Sequence, residues 1–254
     1  MTFNAQTLSE KGPVRANNED AIRFGLFSEQ SAIWMVVADG MGGHKAGEVA
    51  SNMLIEYVES CMVEENTKTD TDWEKKLPEI LAEANQVIFE AAAANTEYEG
   101  MGTTGVIAVY KEGILHVAWV GDSRAYLLRK EKLSQLTQDH TMIQYLLDKG
   151  SISEKEAANS NTKHLLSKAI GVKKKVAADY RCKNIEHGDL VMLTSDGIHD
   201  FLPTPVLAGF LTRLRSANSD GIGRDFKVVD SMAKEAIEQG SRDNLTIGIF
   251  SITE

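Results

Sequence analysis

The chain has 254 residues, and its 43% hydrophobic and 25% charged content is ordinary for a globular protein. A formal net charge of −10 argues against nucleic acid and anionic membranes as partners. No apolar run is long enough to span a membrane, and the N-terminus lacks signal-peptide features. Two cysteines, Cys61 and Cys182, offer no disulfide framework, which together with the missing signal predicts a cytoplasmic protein.

The first half of the chain predicts two strands, a pair of helices and a block of strands. Apolar runs predict strands over 21–27 and 32–38, and helices follow over 45–62 and 73–95. Further strands are predicted over 103–110, 114–120, 124–129 and 132–136. The turn Lys111-Glu112-Gly113 suits a hairpin between the first two of these.

The second half begins with a helical pattern over 140–172, interrupted by Gly150 and Gly171. Strands over 176–183 and 189–194, helices over 204–214 and 225–239, and a strand over 244–252 complete the chain. Strands in runs and helices in pairs predict an α+β fold with antiparallel sheets. No repeat or linker divides the sequence, so one domain over 1–254 is expected.

Acidic residues recur at the edges of these strands, most of them beside Gly, Arg or Asn. They are Glu19, Asp20, Asp39, Asp122, Asp196 and Asp243. Carboxylates this far apart in sequence suggest one hard-metal site that the fold assembles. Arg15 then suits an anion clamp beside it. The combination indicates hydrolysis of a phosphate ester.

Each acidic position also has an ordinary interpretation. Asp39-Gly40 is a common tight turn, and Glu19-Asp20 suits surface charge. Asp122 and Arg124 suit a surface ion pair, and Asp243 could pair with Arg242. The basic run Lys173-Lys174-Lys175 is best interpreted as a solvated turn. The metal-site hypothesis gains from the number of such positions and from their order.

Several motifs together resemble a known family over nearly the whole chain. They are Gly12–Asp20, Val37–Glu48, Gly102–Thr104, Val120–Arg124, Leu136–His140, Leu193–Gly197 and Ser241–Thr246. The family is the metal-dependent serine/threonine protein phosphatases of the type 2C class, in their compact bacterial form. The resemblance implies a central sandwich of two antiparallel β-sheets, flanked by pairs of α-helices, in one catalytic domain.

The resemblance also implies two Mn²⁺ or Mg²⁺ ions at one end of the sandwich. Asp39 would bridge the ions, with the Gly40 carbonyl on one of them and Asp196 and Asp243 on the other. Glu19 and Asp20 would hold metal-bound waters. A third, weaker ion would use Asp122 together with Asp196.

By the same resemblance, Arg15 would bind the substrate phosphate and Asn244 would support the site. A metal-bridging hydroxide would attack phosphorus directly. The six carboxylates carry −6 when ionised, which two divalent ions reduce to −2 and a third neutralises. Chelation should therefore abolish activity and lower thermal stability.

Two regions extend this interpretation. His199, two residues beyond Gly197, is a candidate general acid, with a surface or packing histidine as the alternative. Residues 148–175 correspond to the family's flap, a segment thought to influence substrate choice. This flap departs from the family pattern, so substrate preference stays open.

The expected function is hydrolysis of phosphoserine and phosphothreonine in proteins by a monomer that opposes a bacterial serine/threonine kinase. One alternative is a non-catalytic relative that binds phosphoproteins. The other is a hydrolase of small phosphate esters.

Overall fold

The protein is described by a computed structural model, which covers residues 2–27, 32–42, 46–66, 68, 70–158, 165–219 and 227–253. The strands are β1 (Thr2–Glu10), β2 (Asp20–Leu26), β3 (Ala32–Met41), β4 (Gly102–Thr103), β5 (Gly105–Lys111), β6 (Ile114–Val120), β7 (Arg124–Arg129), β8 (Lys132–Gln135), β9 (Asp179–Asn184), β10 (Leu190–Thr194) and β11 (Leu245–Thr253). The helices are α1 (Ala46–Glu65), α2 (Trp73–Ala94), α3 (Met142–Asp148), α4 (Glu154–Ala158), α5 (Asp196–His199), α6 (Thr204–Ser219) and α7 (Val228–Glu238).

The strands form two antiparallel sheets. One has the order β1-β11-β10-β7-β8, and the other has the order β2-β3-β5-β6-β9, with β4 paired to β3. Buried side chains form three clusters: between α1–α2 and the second sheet, between α6–α7 and the first sheet, and between the two sheets. The result is the predicted α-β-β-α layering, and the α+β fold is confirmed.

Helix α2 shows how the pattern produces this packing. Its apolar residues Leu77, Ile80, Leu81, Ala84 and Ile88 recur at helical spacing and are all buried. Full burial of each large aliphatic side chain contributes roughly 1.5–3 kcal/mol, so one helix face attaches this layer to the sheet. No helix in the described part of the chain has the length and apolar character needed to cross a membrane.

The two largest differences from the sequence-based expectations concern β1 and the segment 140–172. Strand β1 was not predicted, because an edge strand with few apolar residues carries a weak signal; it pairs with β11 over its whole length. The helical prediction over 140–172 is wrong for 165–172, which forms a loop with isolated bridges at Leu166 and Ile170. Residues 159–164 of the predicted flap lie outside the described residues.

Candidate metal and phosphate site

A cleft of about 900 Å³ opens where the same end of both sheets meets the loop 165–178. Its lining includes five of the six acidic residues singled out from the sequence: Glu19, Asp39, Asp122, Asp196 and Asp243. Arg15, Gly40 and Asn244 also line it. The sixth acid, Asp20, is buried and bonds to Ser195, the neighbour of Asp196. The fold thus brings together residues more than 200 positions apart.

The second sheet positions Asp20 and Asp39 through its hydrogen-bond register. The two residues face each other across the antiparallel pair β2–β3. Thr104 holds the backbone of Asp39 on both sides, since its Oγ1 accepts from Asp39 N at 3.0 Å and its own N donates to Asp39 O at 2.8 Å. Gly40 has no room for a side chain, because a Cβ there would lie 2.1 Å from the carbonyl oxygen of Gly47.

The first sheet supplies Asp196 and Asp243. Asp196 opens the short helix α5 directly after β10, and Asp243 lies just before β11. Ser195 joins the two sheets, because its Oγ donates to Asp20 Oδ2 at 2.6 Å. Gly197 must lack a side chain, since a Cβ there would lie 2.0 Å from the carbonyl oxygen of Asn244.

Arg15 lies at the mouth of the cleft. Its Nη2 donates to Asp243 Oδ2 at 2.5 Å, and its side chain is 49% exposed. Asp243 therefore pairs with Arg15, whereas the structure shows no pairing with Arg242 among the described residues. Arg124 pairs with Asp139 at 2.6 Å, which argues equally against the proposed surface pair between Arg124 and Asp122.

Asn244 ties the Arg15–Glu19 loop to the start of β11. Its Oδ1 accepts from Glu19 N, and its Nδ2 donates to the carbonyls of Lys11 and Asn17, each at 2.9 Å. The side chain is buried, so these bonds are shielded from water. This geometry agrees with the supporting role expected for Asn244.

The carboxylates perturb one another strongly. Burial, followed by the charges of Asp20, Asp196 and Asp122, raises the pKa of Asp39 well above its usual range. Burial also raises the pKa of Asp122 to about 8 and that of Asp20 to about 7, although hydrogen bonds from Ser195 and Thr246 partly offset the latter shift. Paired carboxylates in a desolvated site prefer to be neutral unless cations compensate them.

The donor set fits hard divalent cations. Such ions take carboxylate and carbonyl oxygens, which the cleft supplies from both sheets. Within the described residues, no three His, Cys, Asp or Glu side chains already stand close enough together to form a metal site. The Asp243 carboxylate is turned toward Arg15 instead. Cations would relieve the repulsion that raises the carboxyl pKa values.

His199 does not line the cleft. Its Nδ1 is 2.9 Å from Thr194 Oγ1, and it borders a separate cavity of about 300 Å³ with Asp122 and Asp200. Burial lowers the pKa of His199 well below its usual value, so the imidazole is neutral at pH 7. A buried neutral ring outside the cleft favours the packing alternative, and the general-acid role stays an untested prediction.

Three kinds of residue at the site were assigned no role from the sequence. Thr104 and Ser195 hold Asp39 and Asp20, yet small hydroxyl residues next to motifs carry no distinctive signal. Lys168, Lys173 and Lys175 line the cleft wall. The basic run was visible in the sequence, but its position beside the acidic cluster depends on the fold.

Comparison with known proteins identifies the family. The family model described as protein phosphatase 2C matches residues 14–233. The serine/threonine phosphatase stp of Listeria monocytogenes is 33% identical over 247 residues, which covers 96% of this chain and 94% of the relative. The chain therefore belongs to the protein phosphatase 2C family.

Solved structures agree with the sequence relatives. The serine/threonine phosphatase PstP/Ppp of Mycobacterium tuberculosis superposes with a TM-score of 0.85 at 29% identity, and all of both chains is covered. A structure of the PstP catalytic domain in complex with two manganese ions matches with a TM-score of 0.81 at 29% identity, over 99% of each chain.

Proposed function

We propose that this protein is a Mn²⁺- or Mg²⁺-dependent phosphatase of phosphoserine and phosphothreonine in proteins. The observation that carries the proposal is the cluster of acidic residues in the cleft, with Arg15 at the mouth of the cleft. This acidic floor consists of Glu19, Asp39, Asp122, Asp196 and Asp243, and both sheets contribute to it. Family membership and the names of the relatives support the same reaction. The chain would act as a single catalytic domain.

Asp39, the Gly40 carbonyl, Asp196 and Asp243 would hold two ions, with Glu19 and Asp20 positioning their waters. A third ion would use Asp122 and Asp196. When bound, the ions would supply Lewis acidity and a water activated for attack on phosphorus. The relative that was solved with two manganese ions supports a site for two ions.

Arg15 would bind and orient the substrate phosphate. Its planar guanidinium can donate two parallel hydrogen bonds to one phosphate. The side chain is half exposed and held by Asp243, so it can turn to an incoming anion once Asp243 faces a cation. Asn244 would keep the Arg15–Glu19 loop at the required distance, because it bonds to the loop at Asn17 and Glu19 and to Lys11 just before the loop.

We also propose a cytoplasmic, monomeric enzyme that reverses a bacterial serine/threonine kinase. The bacterial origin of the relatives supports this setting. A phosphoprotein-binding protein without turnover and a hydrolase of small phosphate esters are the outcomes that would replace the proposal.

The test is hydrolysis of a phosphothreonine peptide by wild type in Mn²⁺, by wild type in EDTA, and by Asp39→Asn in Mn²⁺. Asp230→Asn is the matched control, since Asp230 is an exposed aspartate on α7. Activity of only wild type and the control in Mn²⁺ would support the proposal. Peptide binding without turnover would indicate the binding protein, and faster turnover of small esters would indicate the ester hydrolase.

A further inference from the structure

The loop 165–178 forms one wall of the cleft, whose lining also includes the acidic residues. Three lysines of this loop, Lys168, Lys173 and Lys175, line the cleft. The middle residue of the basic run, Lys174, is exposed but does not line it.

The backbone of the wall is fixed from below by Asn85 on α2. The Asn85 side chain is fully buried, and its Nδ2 donates to the carbonyls of Lys173 at 3.0 Å and Lys174 at 3.3 Å. Its Oδ1 accepts from Gly171 N at 2.8 Å. Gly171 adopts a φ of +86° and has no space for a Cβ, which would lie 2.4 Å from Ile88 Cγ2. The basic run is therefore a built feature of the cleft.

The three lysines of the wall differ in how their charges are used. Lys168 is committed, because its Nζ lies 2.7 Å from Asp179 Oδ1 and 3.2 Å from His140 Nε2. Lys173 and Lys175 are exposed, and no described residue bonds to either ammonium group. Asn85 bonds only to the backbone of this loop, so its hydrogen bonds do not depend on the side chains of Lys173 and Lys175.

We propose that Lys173 and Lys175 form a recognition edge for acidic side chains that flank the phosphorylated residue of the substrate. The inference rests on the proposed function, and it replaces the solvated-turn interpretation of this run. In the proposed site, Arg15 and the ions would bind the phosphate inside the cleft. A peptide that leaves the cleft would pass the wall, where the ammonium groups of Lys173 and Lys175, to which no described residue bonds, would meet carboxylates.

The local charge at this edge, and not the overall charge of the protein, would set the peptide preference. At −10 the protein repels an acidic peptide at long range. At 0.15 M ionic strength, charges more than about 8 Å apart are largely screened, so the local pair of lysines decides which peptide is preferred. An exposed ion pair changes binding about 1.5- to 5-fold, so two lysines predict roughly a 2- to 25-fold preference for acidic over neutral flanks.

The experiment compares three phosphothreonine peptides of equal length, with Glu, Gln or Lys on both sides of the phosphothreonine. Wild type, the double variant Lys173→Glu/Lys175→Glu and the control Lys174→Glu are assayed in Mn²⁺ for kcat/KM. Phosphonate analogues of the same peptides give Kd by fluorescence anisotropy without turnover. p-Nitrophenyl phosphate, which has no flanking residues, reports on the floor alone.

Wild type and Lys174→Glu should prefer the Glu peptide in both kcat/KM and Kd, and this preference should shrink in 0.5 M NaCl. The double variant should prefer the Lys peptide and keep wild-type turnover of p-nitrophenyl phosphate. Equal ranking of the peptides by wild type, or an equal effect of Lys174→Glu, would overturn the inference while leaving the phosphatase intact. Absence of turnover for every substrate would refute the proposed function alone, since the Kd ranking still decides the inference.

Discussion

The Asn85 side chain offers a sharp test of how the cleft wall is held. Asn85→Ala removes three hydrogen bonds from a site with no solvent access, those to Gly171 N and to the carbonyls of Lys173 and Lys174. It changes no residue of the cleft itself. Both stability and the handling of peptides should therefore respond, whereas the chemistry at the floor should not.

The size of the effect follows from what each partner loses. Gly171 N–H is buried and loses its acceptor, which costs about 1–3 kcal/mol. The two carbonyls belong to the exposed residues Lys173 and Lys174, so water can replace Asn85 as their partner. Each therefore loses only the net value of a hydrogen bond, about 0.5–1.5 kcal/mol. The free energy of unfolding should fall by about 2–6 kcal/mol. For a chain of this size the melting temperature should drop by roughly 5–20 °C.

Thermal unfolding of wild type, Asn85→Ala and Asn85→Asp is the assay. The aspartate can still accept from Gly171 N but cannot donate to the carbonyls, and it would bury a charge. Its destabilisation should therefore equal or exceed that of the alanine. Gln86→Ala is the control, because Gln86 is the next residue of α2, is only half-buried and bonds to Glu90 on the same helix.

A second readout separates local from global effects. In Asn85→Ala the amide of Gly171 should exchange with solvent faster than in wild type, and KM for a phosphopeptide should rise while turnover of p-nitrophenyl phosphate is kept. A melting temperature within about 2 °C of wild type, with unchanged exchange at Gly171, would refute the reasoning that these three bonds hold the wall.

Three further predictions concern the acidic floor and its neighbours. In EDTA, Asp122 and Asp20, with pKa values of about 8 and about 7, keep protons that the unfolded chain releases near pH 4. The free energy of unfolding should therefore fall as pH rises from 6 to 8. A rise in melting temperature over this range would contradict the prediction. Arg15→Lys keeps the charge but loses the ability to donate two parallel hydrogen bonds to one phosphate. The kcat/KM for a phosphopeptide should therefore fall about 10-fold with little change in stability. Wild-type kinetics would exclude phosphate binding by Arg15. His199→Ala should leave the pH profile of kcat unchanged. It should lower the free energy of unfolding by about 1–3 kcal/mol, because buried Thr194 loses its hydrogen-bond partner. Loss of one limb of the pH profile would restore the general-acid hypothesis.

Much of the fold could be predicted because its strands and helices carry strong patterns. The fully buried strand β10 and the one-sided helix α2 are examples. Strand β1 escaped because its stability comes from pairing with β11, almost 250 residues away, and not from its own composition. The loop 165–172 was wrongly predicted as helical because its conformation depends on distant contacts, which no local pattern reveals. These are the hydrogen bond from Gly171 to Asn85 and the bridges to β4 and Thr141.

The site was easier to predict than its surroundings. Asp39, Asp196 and Asp243 stand at strand edges beside Gly or Asn, and such positions are readable when several occur in order. The hydrogen bonds around the acidic residues could not be predicted from the sequence. Ser195 and Asp20, for example, come into contact only when the two sheets pack together. The same holds for the three lysines of the wall, because only the fold places them in one cleft with the acidic residues.

The division of the acidic floor between two sheets bears on how long the protein survives. Asp20 and Asp39 belong to strands of one sheet, whereas Asp196 follows and Asp243 precedes a strand of the other. Ions bound under the proposed function would fasten the sheets together, and each tenfold rise in free metal above its Kd would add about 1.4 kcal/mol against unfolding. Proteases attack chains mainly when they open. Scarcity of metal would therefore shorten the lifetime of the protein as well as silence it, so its abundance would follow the metal supply of the cell.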